Sequence, residues 1–154
     1  DDTSISILRS AIIAHLHPIR HDELLKTAAR LNSDGDFEGL ENLLLQHFDR
    51  MMHEADAHVW AANCASFRSD PEHALDCLVQ ASRLAPQRRT LLERALNLAH
   101  RLEAGQKFDN FAVGYFRYHY EAAIDLFAKH GWDPSPYLKP LDTDVDVASL
   151  GNQE

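Results

Sequence analysis

The sequence predicts an all-α fold of about seven helices, stacked as antiparallel helix-turn-helix pairs. Apolar residues recur at spacings of 3 and 4 along most of the chain, as in Leu24, Ala28 and Leu31, and this spacing is typical of one helix face. Only 6 glycines and 6 prolines occur among 154 residues, which argues against a β-rich fold with its many turns. In addition, the helical pattern between residues 21 and 86 repeats itself.

The first helix is predicted over residues 5–16, where Ser4 can cap its start. Pro18 ends this helix, because a proline disfavours helical geometry in the residue before it. The first hairpin follows as two helices over residues 21–31 and 37–49, joined by an Asn-Ser-Asp-Gly-Asp turn. We expect the first helix to lie against this hairpin and to cover its open end.

Further helices complete the predicted order. The sequence predicts a helix from near Met51, or as late as Asp56, to Ser66 and a helix over 71–84. A helix over 89–103, a connection over 105–110 and an aromatic-rich helix over 111–130 follow. Asp70, Pro71 and Glu72 form a well-defined helix start: a cap, a proline in the first turn and an acid at the positive end of the helix. We therefore expect one helical-repeat domain over residues 1–140 and a flexible acidic tail over 141–154.

The repeat itself has a period of 34 positions. Identical residues occupy matching places in the two hairpins: Ala28 and Ala62, Asp36 and Asp70, Glu38 and Glu72, Leu44 and Leu78, Gln46 and Gln80. Small and large residues also fall in register between them. Self-similarity at a fixed period indicates a repeat architecture, in which each helical hairpin buries its apolar face against the next.

The second hairpin carries the residue pattern of a known repeat. Ala74, Leu78, Ala81 and Pro86 fall where the tetratricopeptide repeat places small, large, small and proline residues, and Ala62 fills the small position of the first helix. Over about half of the chain, the sequence resembles that family. The resemblance implies a right-handed superhelical array with a groove that binds a peptide or protein.

The resemblance also implies which side chains would bind the partner. The family's inner groove uses an asparagine on the first helix of a unit, and Asn63 and Asn97 fall at that position. Arg94 falls where such domains place a cationic residue, and Val59 is a further candidate. A guanidinium in a groove can hold an acidic peptide through charge-assisted hydrogen bonds.

Composition limits the classes of partner and compartment. The formal net charge of −9 disfavours nucleic acid and anionic membranes, which bind clustered positive charge. No run approaches the ~18 apolar residues of a membrane span. Cys64 and Cys77 are 13 positions apart, which matches no zinc motif. Two buried free thiols in a reducing compartment are the favoured interpretation, with a disulfide as the alternative. We therefore expect a soluble cytoplasmic protein.

Neither a catalytic residue nor a metal or cofactor site is predicted. His53 and His58 are five apart, so on a helix they point about 140° away from each other, whereas helical zinc proteases space their histidine ligands by four. Cys64 lies in an apolar run without a basic neighbour, so its thiol should stay protonated and unreactive. The chain also has no glycine-rich phosphate loop. The sequence therefore favours a protein that is not an enzyme.

The aromatic residues of the predicted helix over 111–130 form two stripes. One contains Phe111, Tyr115 and Tyr118, and the other contains Phe116, Tyr120 and Phe127. Two nearly opposite stripes on one helix cannot easily face a single core. Each stripe either packs in the core or forms a partner surface, and one of them could be the interface of a homodimer.

The predicted function is protein–protein interaction, as an adaptor, chaperone or regulatory module. One alternative is a small acidic inhibitor or immunity protein that neutralises a basic toxin or enzyme, through Asp142, Asp144 and Asp146 or another acidic face. That alternative predicts a steep loss of affinity with added salt. The other alternative is a metal-binding helical bundle.

Overall fold

The computed structural model describes residues 2–16 and 19–139, without the side chains of residues 10, 11 and 13–16. Over these residues the chain forms nine α-helices, one short 3₁₀ helix at Ser135–Tyr137 and no strand. The helices are α1 Asp2–Leu16, α2 His21–Asp34, α3 Phe37–Gln46, α4 Phe48–Met51, α5 Ala55–Phe67, α6 Pro71–Leu84, α7 Arg89–Arg101, α8 Gly105–Tyr118 and α9 Tyr120–His130. The predicted all-α class is confirmed. In this part of the chain, no helix combines the length and the apolar character needed to cross a membrane. The acidic tail over 141–154, with Asp142, Asp144 and Asp146, lies outside the described residues.

Two helices that the sequence predicts as continuous are each divided by a histidine. His47 interrupts the predicted helix over 37–49, with φ −119° and ψ 25°. His119 divides the predicted helix over 111–130 into α8 and α9, with φ −140° and ψ 57°. The His119 ring donates a hydrogen bond from Nε2 to the carbonyl of Gln87. The His119 side chain therefore has a hydrogen-bond partner outside the helix, at the point where the helix is interrupted.

The connection predicted over residues 105–110 is wrong, because Gly105 is the first residue of α8. Glu103, with φ 54°, turns the chain instead. The Glu103 amide bonds to the His100 carbonyl, and the Ala104 amide bonds to the Ala99 carbonyl. This pair of hydrogen bonds is the glycine-type helix ending known as the Schellman motif, here built without a glycine.

The same turn occurs three times at intervals of 34 residues. Gly35, Ser69 and Glu103 all have positive φ, and each amide bonds to the carbonyl three residues earlier. The helices before these turns begin at residues 21, 55 and 89, and those after them at 37, 71 and 105. Asp36 and Asp70 also cap their helices in the same way, accepting from the amides of Gly39 and His73. The sequence already places the helix over 89–103 in this frame, and the structure continues the spacing of 34 through the next helix, α8.

Ser69→Gly should stabilise the protein by about 0.5–1 kcal/mol. Ser69 has φ 60°, a left-handed conformation that costs a residue with a Cβ roughly 1–2 kcal/mol, and glycine relieves this at a smaller entropic cost. Chemical denaturation measures the change. Ser66→Gly in the last turn of α5 is the control and should destabilise, because glycine lowers helix propensity. A loss of stability in Ser69→Gly would contradict the expected strain.

The chain divides into two compact units, with the boundary between Pro86 and Gln87, and each is described by itself. In the first unit, α2 pairs with α3 and α5 pairs with α6, while α5 also packs against α2 and α3. Fully buried alanines, which let helices approach closely, lie along these contacts: Ala28, Ala62, Ala65, Ala74 and Ala81. The predicted packing of the first helix on the first hairpin is not observed, since the described α1 side chains are all exposed.

The second unit has an aromatic core formed by α7, α8, α9 and the 3₁₀ helix. Phe111 and Tyr115 are buried, and so are Phe116 and Phe127 from the other predicted stripe. Because the chain bends at His119, α9 packs against α8, and both stripes contribute to one core. The expectation that two opposite stripes could not share a core is therefore wrong.

Candidate functional site on helix α7

The four predicted partner-binding residues are divided between the two units. Val59 and Asn63 lie on α5 in the first unit, and Arg94 and Asn97 lie on α7 in the second. All four side chains are half-buried.

Asn63 already has a hydrogen-bond partner in the folded chain. Its amide Nδ2 donates to Oδ1 of Asn32 at 2.7 Å, which ties α5 to α2. A part-buried hydrogen bond between two side-chain amides stabilises the fold by about 0.5–1.5 kcal/mol. Asn63 therefore has a structural role, and its amide nitrogen has less capacity for a partner than the sequence suggests.

Arg94 is half-buried and, unlike Arg68 and Arg89, has no counter-charge within the described part of the chain. Arg68 pairs with Glu41 and Arg89 with Glu93, both at 2.8 Å, whereas no described residue forms an ion pair or hydrogen bond with Arg94. Burial lowers the pKa of the Arg94 guanidinium, since removing a cation from water disfavours its charged form. A half-buried cation without a counter-charge is costly, and an anionic ligand would remove much of that cost.

Asn97 and Arg101 continue the same helix face. They follow Arg94 by three and seven positions, which places all three side chains along one side of α7. Like Arg94, neither forms a side-chain hydrogen bond or ion pair with a described residue. We call Arg94, Asn97 and Arg101 the α7 stripe. It offers two guanidinium groups and one amide to a ligand, a set that suits carboxylates.

The acid next to Arg94 in the sequence is held by other groups. Glu93 Oε1 accepts hydrogen bonds from the Tyr115 hydroxyl at 2.5 Å and from Arg89 Nε at 2.8 Å. Partial burial acts to raise the pKa of Glu93, but the hydrogen bonds from Tyr115 and Arg89 outweigh it and lower that pKa. Glu93 is thus ionised and directed towards α8, which leaves Arg94 without its nearest possible counter-charge.

Tyr115→Phe should remove one tyrosine that titrates near pH 12 from the pH titration of the folded protein. Burial and the hydrogen bond to Glu93 raise the pKa of Tyr115 to about 12, against about 10 for a free tyrosine. The folded state therefore holds the hydroxyl proton of Tyr115 more tightly than the unfolded state does. The stability that this protonated hydroxyl contributes is present below about pH 10 and is lost as pH rises towards 12. Tyrosinate absorbance of the folded protein measures the step. A titration near pH 12 that is unchanged in Tyr115→Phe would contradict the assignment.

Sequence reasoning found part of this stripe and misjudged its surroundings. Arg94 and Asn97 follow from the resemblance, and Arg101 is visible as one of several basic residues between positions 83 and 107. The Tyr115–Glu93 bond was missed, because a contact over 22 positions between two helices leaves no local signal. Arg89, a member of the same basic run, is neutralised by Glu93.

The residues considered for metal or thiol chemistry do not form a reactive site in the described part of the chain. No group of three His, Cys, Asp or Glu side chains there could hold a metal ion. Cys64 and Cys77 are free and buried, in agreement with the expected buried thiols. Burial, with a smaller effect of Glu41, raises the pKa of Cys64 to about 11, and burial also raises that of Cys77. Both thiols therefore stay protonated, the unreactive form.

Comparison with family models, with curated proteins and with solved structures gave no match to this chain. Its function is therefore inferred from its own residues.

Proposed function

We propose that the protein is a protein–protein interaction module that binds an acidic segment of a peptide or protein through the α7 stripe. The observation that carries this proposal is the half-buried Arg94, which has no counter-charge among the described residues. Asn97 adds a donor and acceptor one turn away. A bidentate contact between guanidinium and carboxylate would satisfy Arg94 and give the partner a defined orientation.

The regular period of the helices supports the wider proposal of a tetratricopeptide-like array. Helix starts at intervals of 34 residues and three equivalent turns are what a stack of helical hairpins requires. In such an array Val59 and Asn63 would offer a partner surface on α5 of the first unit, with Asn63 oriented by its hydrogen bond to Asn32. The role would be that of an adaptor, chaperone or regulatory protein.

Binding rather than catalysis is also proposed, in a reducing compartment such as the cytoplasm. The two free thiols are held in their neutral form by burial, which supports a structural role for both cysteines. A homodimer through residues 111–130 would use the large apolar side chains of that segment that remain exposed, Val113, Tyr118 and Ile124. Burial of Phe111, Tyr115, Phe116 and Phe127 makes that surface much smaller than the sequence suggests.

Peptide display against the full chain tests the proposed binding mode. Selection from a random library should enrich peptides with acidic residues. For a selected peptide, Arg94→Ala and Asn97→Ala should each weaken binding by about 1–2 kcal/mol, roughly 5–30-fold in Kd, with helix content unchanged. Affinity should also fall with added salt, because an arginine–carboxylate contact that is partly exposed is screened.

Arg83→Ala is the matched control, since it removes the same charge from an exposed arginine on α6. It should change the affinity only slightly. Equal losses in Arg83→Ala and Arg94→Ala would show a general charge effect and not a site. Peptides that bind equally well to Arg94→Ala and Asn97→Ala would overturn the assignment to α7.

A further inference from the structure

A second surface with the character of a docking site lies in the first unit. A cavity of about 240 Å³ opens along α3, α4, α5 and α6. We call it the α3–α5 groove, defined by Leu44, Leu45, Phe48, His58, Ala61 and Cys64. Leu45 is 70% exposed and Phe48 54% exposed, so two large apolar side chains stand at this groove without cover. Uncovered apolar residues clustered at a groove mark an interaction site.

The groove has defined ends. At one end Arg68, at the end of α5, pairs with Glu41 of α3 at 2.8 Å. At the other end His58 donates from Nε2 to the Met52 carbonyl at 2.8 Å, beside Phe48. Leu44 and Leu45 lie on α3 and Phe48 begins α4 after the break at His47, so the apolar side chains of the groove come from two short helices. The groove therefore suits a short helix with two or three apolar side chains in line.

Helix α1 carries such a set of side chains, and they too are uncovered. Ile5, Leu8 and Ile12 follow each other at spacings of 3 and 4 and are all more than half exposed. They span seven positions, about 10 Å of helix. An isolated 15-residue helix is marginally stable in water, so α1 needs a surface on which to bury this face.

Two residues shortly after α1, Ile19 and His21, are anchored near one end of the groove. Ile19 packs against the core of the first unit, and His21 Nε2 lies 3.0 Å from Oε1 of Glu54, just before α5. These contacts hold the segment that follows α1 beside the α4–α5 junction, where Met52 and His58 lie. Two copies related by a two-fold axis could therefore each offer α1 to the groove of the other.

We propose that the protein forms a two-fold homodimer, in which the Ile5, Leu8 and Ile12 face of α1 packs into the α3–α5 groove of the other copy. Burying one face of α1 removes on the order of 400 Å² from each partner, so the two equivalent contacts bury about 1,600 Å², the size of a standard stable interface. An exchange of identical elements between two copies is a low-cost route to a dimer. The proposal involves residues of the first unit and does not depend on the α7 stripe.

Sedimentation equilibrium of the full chain, with single substitutions on each side of the contact, tests the dimer. The wild-type chain should be a dimer, and Leu8→Glu and Leu45→Lys should each raise its dissociation constant by about 30-fold or more. Both side chains are exposed, 62% and 70%, so neither change should disturb folding. Ile7→Glu, about 130° around α1 from the centre of the Ile5, Leu8 and Ile12 face, should leave the dimer intact. So should Val113→Glu, at an exposed site in the second unit.

A mixture of the two variants separates direct contact from other effects. A heterodimer of Leu8→Glu with Leu45→Lys has one unaltered contact and one that joins opposite charges, so mixing should restore association. A wild-type chain that is monomeric at its highest soluble concentration would overturn the proposal. So would a monomer in which hydrogen exchange shows α1 protected on its own groove, or a dimer that both variants leave unchanged.

Discussion

Phe127→Ala should lower the free energy of unfolding of the second unit by about 3–5 kcal/mol. Phe127 is fully buried, and four aromatic rings surround it, with centroids 4.9–5.9 Å away: Phe108, Phe116, Trp132 and Tyr137. Three of these are edge-to-face contacts, which add to the effect of burial alone. Rigid rings cannot collapse into the space left by the substitution, so the cavity cost should be near the upper end.

Trp132 provides a local probe for this prediction. In a Trp60→Phe background it is the remaining tryptophan, and its centroid lies 5.4 Å from that of Phe127. Guanidinium denaturation followed by its fluorescence should show the full loss. Ile124→Ala on the same helix, partly exposed, should cost about 1 kcal/mol or less. Equal effects of the two substitutions would contradict the central position of Phe127.

Leu78→Ala should cost the first unit about 2–5 kcal/mol. Leu78 is fully buried on α6, in the α5–α6 pair that forms the most extensive helix contact of the chain's described part. Its neighbours on that seam include fully buried alanines, which have no side-chain length with which to fill a cavity. The substitution should therefore leave a void and not a repacked core.

Leu84→Ala is the matched control on the same helix, where the side chain is 43% exposed. It should change stability by less than about 1 kcal/mol. Denaturation followed by Trp60 fluorescence in a Trp132→Phe background reports on the first unit. If Leu78→Ala and Leu84→Ala were equally stable, Leu78 would not be part of the helix seam.

Local sequence signals located some elements well and others poorly. Helix α6 begins at Pro71 as predicted, because Asp70, Pro71 and Glu72 specify a helix start with backbone and side-chain chemistry of their own. The start of α8 was missed, because Gly105 reads as a turn and the preceding left-handed residue is Glu103, which has no intrinsic preference for that conformation. Tertiary packing imposed a conformation that the local residues do not favour.

In the candidate site, too, some features follow from the local sequence and others depend on tertiary contacts. The residue types and the spacing of Arg94 and Asn97 can be read from the sequence. The lack of a counter-charge at Arg94 cannot, since it depends on Glu93 turning to the Tyr115 hydroxyl on α8. A sequence in which an acid precedes an arginine gives no sign of whether the two are paired.

The amino-acid sequence by itself determined the helical class, the two-hairpin period and the polar residues of α7, because spacing, caps and turn residues act over a few positions. Only the tertiary structure decided the break at His119, the shared aromatic core and the uncovered faces of α1 and the α3–α5 groove. Those features depend on contacts between residues that are far apart in the chain. The free energy of such contacts cannot be read from a few neighbouring residues.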